Sequence, residues 1–161
     1  MTVKEIINTY SIKSKLTIKQ VEMILNNENL RIETISFLRE NPNQQFANDF
    51  LSLLIYERKK ENFELSNSEN LMYGSYIVGL KKDVTNSELI WKAKNVDFDM
   101  YCGLDVQLIV FAGFEKTIQY FKSLDTIESK KAIEYLKESN EAGDFYDIEN
   151  YFSPEKKPWW I

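Results

Sequence analysis

The sequence predicts an all-α fold, either an irregular antiparallel helical bundle or a short solenoid of helical hairpins. Three observations carry this. The 161 residues include only five glycines and three prolines, so little interrupts regular structure. Apolar residues recur mostly at every third or fourth position, the spacing of one helix face, and seldom alternate as in a strand. A composition of 43% hydrophobic and 28% charged residues supplies the core of one domain at this length, so residues 1–161 read as a single helical domain.

The first clear helix begins at Thr17, whose hydroxyl can accept an amide proton of the opening turn, and places Ile18, Val21, Ile24 and Leu25 on one face until Asn26-Asn27. A second spans about 29–40 with Leu30, Ile35 and Leu38 inward, and Pro42 drives Asn41 out of helical geometry. A third, 43–60, buries Phe46, Phe50, Leu53, Leu54 and Tyr56 and ends in Arg58-Lys59-Lys60, cations at the negative end of the helix dipole. Residues 61–68 are polar enough to connect, 69–80 form a helix, and another follows Thr85–Ser87 with Leu89, Ile90 and Ala93 on a face beside Trp91. The spacing of Leu104, Leu108, Phe111, Phe114, Ile118 and Phe121 predicts two helices broken at Gly113. Asp125 to Glu128 has the form of a capping box and opens a helix to about 140, Gly143 suits a left-handed helix end, and a short helix covers 144–152. The segments Glu33–Arg39 and Lys116–Lys122 are similar, as in a helical-hairpin (HEAT-like) solenoid, but two amphipathic helices agree this well by chance, so the repeat is the minority reading and bundle and solenoid both stay open.

Composition excludes much chemistry. There is no histidine, so no Ser-His-Asp triad, Cys-His pair or His-ligated zinc. One cysteine, Cys102, can form no disulfide within the chain and favours the cytoplasm. The net charge of −5 is uneven: residues 1–60 carry nine Lys and Arg against seven Asp and Glu, and residues 61–161 eleven against eighteen. With no basic stripe, nucleic acid is not the expected partner, whereas a basic protein fits. The opening fifteen residues lack the apolar run of an export signal, and no stretch approaches the roughly 20 apolar residues that cross a bilayer, so no membrane association is expected.

The run from Trp91 to Gly113 sets Asp97, Asp99 and Asp105 among Trp91, Phe98, Tyr101 and Cys102. Acids beside rigid aromatic groups suit a basic partner or a cation, while the plainer reading has Asp97 and Asp99 capping helices and Asp105 in a first turn. Asp97-x-Asp99 fails as a calcium loop, because Cys102 stands where the glycine belongs and Leu108 where the bidentate acid belongs. Gly74 to Lys81 lacks the spacing of a phosphate loop, so Gly74, Ser75 and Gly79 are read as close helix packing. Cys102 has no neighbouring base and is expected to be buried. Glu134, Glu138 and Glu141 are read as a solvated face balanced by lysines, and Trp159 and Trp160 as docking on the core.

Trp91, Asp97-Phe98-Asp99, Cys102-Gly103, Asp105, Gln107 and Ala112-Gly113, within residues 88–152, give the chain a texture that resembles small bacterial helical proteins of the toxin-immunity type. The resemblance implies a binding role, occluding a basic toxin or other basic partner without a cofactor, with Trp91, Asp97, Asp99, Tyr101, Asp105 and Gln107 as the contacts. Two alternatives stand beside it. One is a hydrolase or transferase using Asp97, Asp99 or Asp105 with a divalent metal; the other is a helical scaffold that oligomerises.

Overall fold

The computed structural model describes residues 2–13 and 15–161. Met1 and Ser14, part of the opening segment read above for an export signal, lie outside the described residues. Among the described residues ten α-helices follow in order: α1 (Val3–Lys13), α2 (Ile18–Leu25), α3 (Glu28–Glu40), α4 (Gln44–Lys59), α5 (Ser68–Gly79), α6 (Ser87–Lys94), α7 (Phe98–Gly103), α8 (Phe114–Leu124), α9 (Ile127–Glu141) and α10 (Ile148–Tyr151), with 3-10 turns at Val84–Asn86 and Val106–Leu108. Among the described residues there is no strand, and no helix is long and apolar enough to cross a membrane.

Short polar residues start most of these helices. The Thr17 hydroxyl accepts from the Gln20 amide, and Asn27, Asn43, Asn67 and Asp97 do the same for Leu30, Phe46, Asn70 and Met100, each meeting an amide that the opening turn leaves free. The box before α9 lies one residue later than its sequence form suggests. Thr126 and Ser129 make it, while Asp125 turns left-handed at φ 46° to close α8.

Helix α5 organises the rest. Every residue from Asn70 to Gly79 is buried, which identifies a central helix enclosed on all sides. Helices α4, α6 and α7 and the turn at 106–108 pack on it. From α3, Arg31 accepts the Tyr73 hydroxyl proton at its carbonyl (3.2 Å), and Arg39 donates to the Tyr76 oxygen (2.7 Å). Phe152 stacks on Tyr76 with centroids 5.0 Å apart, and Trp160 meets the same ring edge-on at 5.4 Å. A solenoid would confine each hairpin to its neighbours in the stack. The enclosed α5 makes this a closed irregular bundle. The two similar segments are not structural repeats either, since α3 packs on the preceding α2 and α8 on the following α9.

Other departures have local causes. Val3, Ile6 and Ile7 make α1 a core helix, in a segment where no element was expected. Residues 104–112 form turns, one of them 3-10, instead of a helix, and the apolar run Leu108–Phe111 within them is buried throughout. Gly113 does break the chain, at φ 101°. Ile18 and Tyr56 face outward, Cys102 is exposed where burial was expected, and Trp160 docks while Trp159 stays 70% exposed.

Burial of phenols sets an alkaline limit on stability. Burial holds Tyr73 and Tyr151 above the ordinary phenol range and pushes Tyr10 up to about 12, where its bond to Asp49 (2.6 Å) adds to the shift. A raised native pKa means the folded chain holds these protons more tightly, so the stabilisation is complete below pH 10 and declines as pH rises through the native value. Urea midpoints are therefore expected to fall steadily above pH 10, and Tyr10→Phe should reduce that slope.

Candidate partner-binding face

The segment singled out in the sequence leaves α6, forms α7 and enters the turn at 106–108. Asp97 joins α6 to α7: one carboxylate oxygen accepts from the Met100 amide (2.9 Å), and the other from Arg58 Nε (2.5 Å). Arg58 is buried at the end of α4, also donates to the Ser66 carbonyl (3.0 Å), and lies 4.7 Å over the Phe63 ring. Burial raises the Asp97 pKa, but the Arg58 bond and the Met100 and Asp99 amides outweigh it and hold the carboxyl below its usual range. Asp97 is thus charged and committed to the fold.

The remaining candidates divide. Asp105 accepts the Tyr151 hydroxyl proton (2.7 Å), tying the 106–108 turn to α10, and Gln107 donates to the Asp144 carbonyl (2.9 Å), tying it to the α9–α10 link. Trp91 is only 5% exposed, and its indole N–H has no acceptor among the described residues, so it is a buried wall and not an outward contact. Asp99, with its side chain 80% exposed and 3.7 Å from Arg58 Nη2, and Tyr101 reach solvent beside Phe98, which is 77% exposed. The three aspartates do not converge, because Asp97 and Asp99 gather at Arg58 while Asp105 meets Tyr151. Among the described residues no group of three or more His, Cys, Asp or Glu could hold a metal ion. The carboxylates required by the metal-dependent hydrolase or transferase are not assembled.

What the sequence missed lies opposite, on α9. Trp91, Asn95 and Tyr101 on one side and Lys131, Glu134, Tyr135 and Glu138 on the other line an open cavity of about 260 Å³. Tyr135 packs against both Trp91 (5.7 Å, 50°) and Tyr101 (5.5 Å, 59°), making an aromatic floor. Beneath it Lys94 is buried, donating to the Tyr101 (2.6 Å) and Leu104 (2.8 Å) carbonyls that end α7, with Nζ 5.5 and 5.2 Å from the Tyr101 and Tyr135 centroids. Burial lowers the Lys94 pKa. Lys131 pairs with Glu128 (2.7 Å), whereas Glu134 and Glu138 form no ion pair among the described residues, contrary to the lysine-balanced face expected of them. The one signal available in sequence was the four-residue spacing of two like charges, which disfavours an isolated helix.

Acidity continues past the cavity. From Glu138 to Glu155 the chain carries six carboxylates and no Lys or Arg. The last turn of α9 contains no basic residue, although that end of a helix favours cations. Within this run Tyr146 is 97% exposed. No family model, curated protein or solved structure matches the chain.

Proposed function

We propose that this protein is a binding module for a basic protein, acting as an immunity-type inhibitor does, by covering its partner's surface through charge and shape without chemistry of its own. The observation that carries the reading is the one-signed stretch from Glu138 to Glu155, in which Glu138 and Glu141 occupy the last turn of α9 against its dipole and Tyr146 is left in solvent. Acids at that helix end cost a few tenths to about 1 kcal/mol each in the free chain. A cationic partner turns the same arrangement into an attraction. Asp99, Phe98 and Tyr101 extend the face with a solvent-exposed carboxylate and exposed ring area.

The test is co-purification from the source cells, identification of the bound protein and calorimetric titration. The account expects a partner of net positive charge whose affinity drops at least about tenfold for the combined variant Glu141→Gln, Asp144→Asn, Asp147→Asn. A neutral or acidic partner, or unchanged affinity in a folded variant, contradicts the reading.

A further inference from the structure

We propose that the cavity between α6–α7 and α9 receives one arginine side chain of that basic partner. This rests on the binding reading above and adds to it a defined receptor. A planar guanidinium stacks on aromatic faces and forks onto carboxylates, and this space offers both: the Trp91–Tyr135–Tyr101 floor and the Glu134 and Glu138 carboxylates at its wall. About 260 Å³ suits a single long side chain and leaves no room for a helix.

Charge points the same way. Glu134 and Glu138 stand one helical turn apart without a counterion, a repulsion that an inserted cation removes. Two ammonium groups oppose an incoming cation, Lys131 at the lining and Lys94 under the floor, but Lys131 is drawn to Glu128 and Lys94 is pinned by the Tyr101 and Leu104 carbonyls, so neither is bonded to the two glutamates. Asn95 adds polarity at the rim: its amide nitrogen is used on the Trp91 carbonyl (2.8 Å), which leaves the side-chain oxygen as an acceptor. The Lys94 bond to the Tyr101 carbonyl also fixes α7, so the floor exists before any partner arrives and little ordering entropy opposes entry.

The probe is the blocked tripeptide Gly-Arg-Gly, against its neutral counterpart with citrulline in place of arginine, followed by amide and indole resonances of the full chain. Saturable shifts confined to α6, α7 and α9, including the Trp91 indole, are expected for arginine, with citrulline weaker by about tenfold or more. The double variant Glu134→Gln, Glu138→Gln should weaken arginine binding by a similar factor while its melting temperature stays level or rises, and Tyr101→Ala should weaken it with the carboxylates intact. Shifts confined to residues 144–149, equal binding of citrulline, no binding of either peptide, or binding unaffected by the double variant would each overturn the arginine cavity. If the intact partner nevertheless binds with its salt-sensitive affinity, the module reading survives that failure; if the identified partner is not basic, the module reading fails independently.

Discussion

Replacing Arg58 by methionine is expected to lower the unfolding free energy by about 2–3 kcal/mol, near the lower end of what removal of one partner from a buried ion pair costs. The guanidinium joins Asp97 at the start of α7, thirty-nine positions away, to the connector that follows α4, through the Ser66 carbonyl and the Phe63 ring. Methionine fills much of the space and leaves the Asp97 carboxylate and the Ser66 oxygen without their donor. Asp97 is one-third exposed and recovers some hydration, which is why the full penalty is not reached. Arg58→Lys should recover part of the loss, because one ammonium cannot serve Asp97 and Ser66 with the same geometry. Asp99→Ala, beside the same guanidinium but exposed, should stay within about 0.5 kcal/mol of the parent. Urea unfolding of the four proteins measures the series.

Gly79→Val is expected to destabilise by about 3 kcal/mol, and Gly79→Ala by about 1–2 kcal/mol. An added Cβ there comes within 3.0 Å of both the Phe111 Cβ and a Phe152 ring carbon. Phe111 cannot yield easily, since its Cβ is fixed to a backbone held in the 104–112 turns. Gly74→Ala is the contrasting case. Its new methyl is crowded by the Leu51 and Leu54 methyl ends at 3.2 Å, which can rotate, while the Leu51 Cα stands at an ordinary contact distance of 3.6 Å, and the helix gain of alanine over glycine, about 1 kcal/mol, offsets the crowding. One glycine of the pair is therefore needed for α5 packing and the other is nearly neutral, a distinction thermal melts resolve at about 2–4 °C per kcal/mol.

Local chemistry made much of the fold legible. Thr17 announces α2, Pro42 ends α3, and Gly113 and Gly143 mark the two positive-φ glycines, because each acts through its own backbone. Residues whose role depends on a distant neighbour were not legible. Arg58 reads as the solvated end of a basic helix until Asp97, thirty-nine positions away, reaches its guanidinium. Leu108 to Phe111 fits a helix by spacing, yet these four consecutive buried residues lie in turns, just as fully enclosed as helix α5, so neither spacing nor burial distinguishes the two. For the site, sequence selected the right segment and misjudged the roles. Asp97, Asp105 and Gln107 hold the fold together, and Trp91 and Tyr101 face Glu134 and Glu138 of α9, a juxtaposition no spacing rule reveals.

The proposed binding depends on negative charge held out for a basic partner, and the rate of association reads that most directly. Stopped-flow mixing with the identified partner, at salt rising from about 0.05 to 0.5 M, should show the on-rate falling steeply as the Debye length shrinks, with dissociation much less affected. An on-rate that does not change with salt would contradict it.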